Sequence, residues 1–164
     1  SYDKAIADLA AKLEGVEPAR VYLGGNSAFL STAGPAMFQD LLIRNAGAEN
    51  VASEITDTYW ATVSYEQLLA WNPDAIILAP QAEYTVDDVL NDPALADLDA
   101  VKNGKVYAMP NVIESWDSPI PSSYLGSIWM ASVLYPDAVS TEDYTKACVD
   151  FYQQFYGFDA SSVL

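Results

Sequence analysis

The sequence predicts an α/β fold in which helices cover both faces of a mainly parallel sheet, and three observations lead to this prediction. Short apolar runs alternate with amphipathic helical segments along the chain. The run Ala75–Ala79 contains only apolar residues, which is typical of a parallel strand that is buried on both faces. The segments between the runs are long enough to cross from one parallel strand to the next. A three-layer α/β/α, Rossmann-like arrangement with right-handed crossovers follows from this order.

The first part of the chain predicts two helices and one strand. Apolar residues at helical spacing predict a helix over 3–14, which has no N-terminal cap of its own and which Gly15 ends in a left-handed conformation. Val21–Leu23 has strand propensity, and a Gly-Gly pair follows it. A second apolar stripe predicts a helix that begins at Pro35 and that Gly47 closes.

Capping residues mark the helices in the middle of the chain. Ser64, with Gln67 three residues later, forms a capping-box pattern at the start of a helix. Thr85 and Asp92 each begin a short helical piece within residues 85–101. These pieces would cross the sheet between its second and third predicted strands.

The last third of the chain completes the predicted sheet and its helical cover. Helical spacing of apolar residues predicts helices over 122–134 and 141–156. We expect Val21–Leu23, Ile76–Leu78 and Val106–Ala108 to be internal strands of one parallel sheet, because each is short, apolar and followed by turn residues. One or two short extra strands would join them.

Charge and residue types exclude several classes of function. The chain of 164 residues has 7 Lys and Arg against 23 Asp and Glu, a formal net charge of −16. Such an acidic surface repels phosphate backbones, and therefore no nucleic-acid binding is predicted. The absence of His excludes Ser-His-Asp triads, His-ligated zinc and proximal-His haem. The single Cys148 builds neither a disulfide framework nor a thiolate metal cage, and no metal or cofactor is predicted.

Four loops are the candidate ligand-binding segments, because ligands of open parallel sheets bind beyond the carboxyl ends of the strands. These loops cover residues 24–34, 56–62, 80–84 and 110–118, and they are rich in aromatic and neutral polar side chains. The candidate ligand-binding residues are Asn26, Phe29, Tyr59, Trp60, Tyr84 and Trp116. Such a surface suits a large, flat or partly apolar ligand better than a phosphate.

Five segments, in their order and spacing, carry a resemblance to one known family. They are Gly47–Ala52 (GAENVA), Val63–Leu69 (VSYEQLL), Trp71–Leu78 (WNPDAIIL), Ala100–Tyr107 (AVKNGKVY) and Glu114–Asp117 (ESWD). Together they resemble the substrate-binding proteins of ABC importers for iron chelates, haem and corrinoids. The resemblance covers almost the whole chain.

This resemblance implies how the chain is divided within a larger protein, in which two lobes are joined by one long helix and hold the ligand between them. Residues 1–19 would be the end of the connecting helix and a linker, and residues 20–164 would form the C-terminal α/β lobe. The N-terminal lobe and the targeting signal would then be absent from this chain. The implied location is extracytoplasmic, either in the periplasm or as a cell-surface lipoprotein.

The resemblance also implies site residues and partners. Trp60 would form an aromatic wall for the ligand, and the turn near Asn26 and Phe29 would make a second contact. Glu66 would be a docking carboxylate for an arginine pocket on the ABC permease. The implied ligand is a metal chelate, haem or a corrinoid-like compound, the implied protein is a monomer, and it is not an enzyme.

Two other classes of function stay open on the sequence. The first is a Rossmann-like enzyme domain that uses Asp57 or Glu114 as an acid or base, a role that a carboxylate can fill without histidine. Such an enzyme would need a catalytic pair, which the sequence does not show. The second is an acidic module that binds only another protein, and it would show no ligand-dependent change in tryptophan fluorescence.

Overall fold

Four parallel strands form the central sheet of the chain, whose computed structural model describes residues 1–164. The six strands of the chain are β1 (Arg20–Gly24), β2 (Ser31–Ala33), β3 (Glu49–Asn50), β4 (Trp60–Thr62), β5 (Ala75–Leu78) and β6 (Val106–Ala108). The central sheet has the order β3-β1-β5-β6, and every neighbouring pair is parallel. All four strands therefore end at the same edge of the sheet, here named the carboxyl edge.

Helices connect the strands and cover both faces of the sheet. They are α1 (Tyr2–Lys12), α2 (Phe38–Asn45), α3 (Tyr65–Trp71), α4 (Val86–Leu90), α5 (Asp99–Lys102), α6 (Tyr124–Leu134) and α7 (Thr141–Tyr156). Two short 3-10 helices, Pro93–Leu95 and Ala160–Ser162, complete the chain. No helix combines the length and the apolar content that crossing a bilayer requires.

Successive residues of the central strands point to opposite faces, and each face has its own core. Val21 and Leu23 of β1, with Ile77 of β5, join one cluster with residues of α1, α2, α6 and α7. Tyr22 and Ile76 join a second cluster, which α3, α4 and α5 cover. All five side chains are fully buried. The predicted three-layer α/β/α architecture with a parallel sheet is therefore confirmed.

The predicted strands are present and parallel, but one of them is not internal. β6 pairs only with β5 and forms an edge of the sheet. Its Tyr107 is half-buried and its Ala108 is exposed, in keeping with an edge position. The opposite edge is β3, a strand of two residues that pairs with β1. It is one of the short extra strands that the sequence led us to expect.

Two helix starts differ from the prediction. α1 has an N-terminal cap after all, because the Ser1 hydroxyl oxygen accepts a hydrogen bond from the Lys4 N–H at 3.5 Å. α2 begins three residues after Pro35 rather than at it. Pro35 instead follows the first residue of a turn, which is closed by a hydrogen bond from the Met37 N–H to the Gly34 carbonyl at 3.1 Å.

Other helix signals in the sequence are confirmed. The Ser64 hydroxyl accepts a hydrogen bond from the Gln67 N–H at 3.1 Å at the start of α3. Thr85 caps α4 in a reciprocal capping box with Asp88. Gly15, just after α1, has the predicted left-handed backbone, with φ of 79°. These starts and stops are local, and each follows from a few neighbouring residues.

A second, small sheet consists of β2 and β4, which pair antiparallel with Ala33 opposite Trp60. Both segments were predicted as loops. Each strand has only three residues, and neither shows the apolar alternation that predicts a strand. Their pairing depends on a partner far along the chain, so a local pattern does not reveal it. The small sheet holds part of the carboxyl edge in a defined position.

The capping box of α7 gives a test of this fold. The Ser140 hydroxyl accepts a hydrogen bond from the Asp143 N–H at 3.1 Å, at the start of a helix whose buried residues belong to the larger core. We expect Ser140→Ala to lower the free energy of unfolding by about 0.5–2 kcal/mol, measured by urea denaturation. Thr141→Ala, at the next and exposed position, is the control. An equal loss in both variants would contradict the capping role.

Candidate functional site

Three predicted aromatic residues meet at the backbone of Gly24 and Gly25, at the carboxyl end of β1. A Cβ atom added at Gly25 would lie 3.2 Å from Cζ3 of Trp60. A Cβ atom at Gly24 would lie 2.5 Å from the Tyr84 hydroxyl oxygen and 3.1 Å from Cδ2 of Phe29. A larger residue would crowd these rings, so the two glycines form a floor for the rings of Phe29, Trp60 and Tyr84, which we name the aromatic face.

The small sheet holds Trp60 against this floor. The Gly25 N–H donates a hydrogen bond to the Ser31 carbonyl at 2.7 Å, which attaches β2 directly to the end of β1. β4 then pairs with β2 and brings Trp60 over Gly25. Trp60 is 39% exposed and the preceding Tyr59 is 70% exposed. Part of the Trp60 side chain is thus packed on backbone, and the rest is exposed to solvent.

Hydrogen bonds and edge-on ring contacts hold the other two residues of the aromatic face. The Tyr84 hydroxyl donates to the Gly25 carbonyl at 2.7 Å, and the Tyr22 hydroxyl donates to the Phe29 carbonyl at 2.6 Å. The Phe29 ring lies edge-on to both tyrosine rings, at centroid distances of 5.7 and 5.4 Å. Burial raises the pKa of both tyrosines, so both hydroxyls remain protonated donors at neutral pH.

Asn26 lies exposed beside the aromatic face. Its carbonyl accepts a hydrogen bond from the Glu83 N–H at 2.8 Å, which joins the loop after β1 to the loop after β5. The structure thus brings Asn26, Phe29, Trp60 and Tyr84 together at the carboxyl edge. Tyr59 directly precedes Trp60 at the margin of this surface.

Trp116 does not belong to this surface. Its side chain is 2% exposed and lies in the larger core, where its indole N–H donates to the Tyr152 hydroxyl at 3.1 Å. Its Cβ atom lies 3.1 Å from the position of a Cβ added at Gly126, so Trp116 approaches α6 closely at that glycine. The structure therefore removes Trp116 from the candidate ligand contacts. The polar residues around it in the sequence suggested exposure, whereas α6 and α7 bury it.

The two carboxylates of the open enzyme alternative, Glu114 and Asp57, lie in different surroundings. Glu114 accepts hydrogen bonds from the hydroxyls of Ser122, Tyr152 and Tyr156, which tie the loop after β6 to α7. Asp57 is exposed on the loop before β4. No group of three or more Cys, Asp or Glu side chains converges as a metal site requires.

The candidate loops contain no cationic side chain. The basic residues of the chain are Lys4, Lys12, Arg20, Arg44, Lys102, Lys105 and Lys146. Arg20 begins β1 and Lys105 precedes β6. Both therefore lie at the amino ends of the parallel strands, away from the carboxyl edge. The ionisable acids in or beside the candidate loops include Asp57, Glu83 and Asp117, and burial raises the pKa of Asp117. This part of the surface is aromatic and acidic.

Glu66, the predicted docking residue, is exposed in the first turn of α3. Ser64 caps this helix, so Glu66 occupies its second position. There, the positive end of the helix dipole stabilises a carboxylate. The neighbouring Tyr65 donates a hydrogen bond to Asp92 at 3.0 Å, which anchors this end of α3. Glu66 itself is free to reach outward.

Sequence reasoning missed the role of Gly24 and Gly25 as a floor. It placed the pair at the end of a strand and at the start of a candidate loop, without a role for the glycines themselves. The available signal was a pair of glycines directly after a buried strand, with aromatic residues in each neighbouring loop, because close approach of a ring to backbone requires glycine. The pairing that holds Trp60 in place had no such signal.

Comparisons with known proteins point to one family. Residues 1–113 match a family model described as periplasmic binding protein. The molybdate-binding protein MolA of Haemophilus influenzae is 34% identical over 154 residues, which are 93% of this chain and 43% of that protein. The structure of MolA bound to molybdate has a TM-score of 0.80 at 32% identity, and the match covers 96% of this chain and 49% of MolA.

Two further solved structures have a similar fold. A periplasmic solute-binding protein from Veillonella parvula has a TM-score of 0.81 at 28% identity, covering 96% of this chain and 49% of its own. CeuE of Helicobacter pylori, solved as a Ni-His complex, has a TM-score of 0.86 at 22% identity, covering 99% and 52%. The chain thus spans about half the length of the relatives that it matches.

The tight contact between Gly24 and Tyr84 gives a test of the aromatic face. We expect Gly24→Ala to lower the free energy of unfolding by about 1–3 kcal/mol, because its Cβ would overlap the Tyr84 hydroxyl oxygen. Tyr84→Phe removes that oxygen, so the glycine substitution should lower stability less in the Tyr84→Phe background. Urea denaturation of the wild type, both single variants and the double variant measures the difference. Equal losses in the two backgrounds would show that the ring does not lie on Gly24.

Proposed function

Because the chain belongs to the periplasmic binding protein family, we propose that it is the C-terminal lobe of a substrate-binding protein that serves an ABC importer. The single observation that carries the ligand assignment is the aromatic face on the Gly24-Gly25 floor. It lies at the carboxyl edge of a parallel sheet, which is where open α/β sheets bind ligands. The protein would bind and deliver a solute and would catalyse no reaction.

The proposed division of the chain assigns residues 1–19 to the end of a connecting helix and a linker, and residues 20–164 to the lobe. Two observations support it. The matched relatives are about twice as long as this chain, and α1 packs as an outer helix beside α6 and α2. An N-terminal lobe would supply the other half of the ligand cleft, and the whole protein would be extracytoplasmic and monomeric.

We propose a metal-containing organic compound as the ligand, such as an iron chelate, haem or a corrinoid, which is the ligand class that the family resemblance implies. Aromatic rings with a few neutral polar groups suit a flat and partly apolar molecule. The candidate loops contain acidic residues and no Lys or Arg, so this lobe favours a ligand part that is neutral or positively charged. A strongly anionic chelate would need its cationic partners on the other lobe.

Molybdate is a second candidate, and the 34% identity to a molybdate-binding protein favours it. An oxyanion would need hydrogen-bond donors, which this lobe offers as the exposed Asn26 and Tyr59 and the Trp60 indole. Native mass spectrometry of the full-length protein from its own host would identify the copurified ligand. Calorimetric titrations with haemin and with sodium molybdate then compare the two classes directly. Binding of molybdate and not of haemin would establish the second candidate in place of the first.

Trp60 is the residue whose removal tests the proposed site. In the full-length protein, we expect Trp60→Ala to weaken binding of haemin by about 1–3 kcal/mol, because a ring stacked on the ligand loses its buried contact. Phe155→Ala is the matched control, since Phe155 is an exposed aromatic residue, 61% exposed, near the end of α7. Equal affinities of the Trp60 variant and the wild type would contradict a ligand site on the aromatic face.

Glu66 gives a separate test of the proposed partner, an ABC permease. We expect Glu66→Gln to leave ligand affinity and stability nearly unchanged, while transport slows and docking to the permease weakens, most clearly at low salt. Glu142→Gln is a matched control, because Glu142 is the exposed second residue of α7 and experiences the same helix-end effect. Docking and uptake at wild-type levels in the Glu66 variant would assign that carboxylate a helix-end role only.

A further inference from the structure

Asn50 connects three elements through one buried side chain. It lies at the end of β3 and is 5% exposed. Its side-chain amide N–H groups donate to the Ala33 carbonyl of β2 at 2.9 Å and to Oδ1 of Asp40 in α2 at 3.0 Å. Its side-chain oxygen accepts a hydrogen bond from the Ala52 N–H at 3.0 Å. Both amide N–H groups and the carbonyl oxygen of this side chain are thus used.

Asp40 makes this connection stiff. Its residue is 3% exposed, in the first turn of α2, and its second oxygen accepts a hydrogen bond from the Arg44 guanidinium at 2.7 Å. A buried carboxylate that is paired and hydrogen-bonded has few alternative arrangements. If it moved away from one of these partners, a buried charge would lose part of its compensation. Asn50 is therefore held from one side by a fixed acceptor.

The Ala33 carbonyl links the Asn50 side chain to the candidate site. Ala33 lies directly opposite Trp60 in the small sheet. The next residue, Gly34, donates its N–H to the Tyr59 carbonyl at 3.4 Å. A shift of the Ala33 carbonyl would consequently move the strand that carries both exposed aromatic residues.

Main-chain hydrogen bonds already hold β3 in the sheet without the Asn50 side chain. The Glu49 N–H donates to the Ala19 carbonyl at 2.8 Å, and the Val51 N–H donates to the Val21 carbonyl at 3.0 Å. The side chain of Asn50 points its donors away from these bonds, toward β2 and α2. The Asn50 side chain therefore fixes the distance between the small sheet and the central sheet.

From these contacts we propose that Asn50 is a positioning residue for the ligand site: it fixes the Ala33 carbonyl and through it holds Trp60 on the Gly25 floor. The effect on ligand binding rests on the proposed function. The effect on the small sheet does not, because it concerns hydrogen bonds of this chain alone. The two parts therefore have separate tests.

Amide hydrogen exchange in the full-length protein tests the effect on the small sheet. In Asn50→Ala, we expect the Gly34 and Val63 amides, which bond across β2 and β4, to exchange about tenfold faster. The Ile76 amide of β5 should keep its protection. Gln39→Ala is the matched control, because Gln39 is the buried neighbour of Asp40 but bonds to the loop after β6, and it should leave β2 and β4 unchanged. Uniform acceleration or none would overturn the proposal.

A double-mutant cycle with Trp60 tests the effect on binding, with haemin as the probe. Asn50→Ala should weaken haemin binding about fivefold in the wild-type background and less than about twofold in the Trp60→Ala background, since both changes act on one contact. Full additivity would overturn the positioning role. If Trp60→Ala alone has no effect, the proposed ligand site fails, while the exchange experiment still decides the role of Asn50. Asn50→Ser, which retains one donor, replaces Asn50→Ala in both experiments if the alanine variant does not fold.

Discussion

The contacts of the Gly25 backbone constrain the whole carboxyl edge of the sheet. Its N–H donates to the Ser31 carbonyl and its carbonyl accepts from the Tyr84 hydroxyl, both at 2.7 Å. A Cβ atom there would lie 3.0 Å from the Ser31 carbonyl oxygen and 3.2 Å from Cζ3 of Trp60, both tighter than ordinary contacts. A side chain there would push the small sheet away from the end of β1. The aromatic face is therefore a property of the β1 backbone as much as of the rings that form it.

Electrostatic attraction holds the lobe together at only a few places. Four ion pairs are present among 23 acidic and 7 basic residues. Lys12 joins α1 to α7 through Asp143 at 2.6 Å and is the main cause that lowers the pKa of that carboxyl. Exposed pairs of this kind contribute little stability, so the two apolar cores hold the fold.

Local signals predicted most of the fold, whereas contacts between distant segments decided the rest. Ala75–Leu78 is all apolar and lies in the middle layer, as its composition indicated. Nothing in the three residues of β2 indicates that β4 pairs with it. The contacts that hold β2 in place come from distant residues, namely Asn50 and the end of β1. Trp60 and Trp116 both lie among polar residues, yet they are 39% and 2% exposed. Packing against α6 and α7, which includes the hydrogen bond from the Trp116 indole N–H to Tyr152, makes that difference. A short sequence window around Trp116 does not contain these partners.

Contacts within the chain hold the aromatic face, and this affects what the proposed site can select. The Tyr84 hydroxyl is already hydrogen-bonded, and Trp60 is held by strand pairing and by the Gly25 floor. A ligand that covers these rings would order few side chains on binding. Less of the free energy gained by burying apolar surface is then lost to ordering, and the affinity is higher. The exposed Tyr59 and Asn26 at the margin can instead adapt to polar groups of a ligand. In the proposed two-lobed protein, the rigid rings would therefore select for a flat shape, and the adaptable margin together with the opposite lobe would determine which polar groups are accepted.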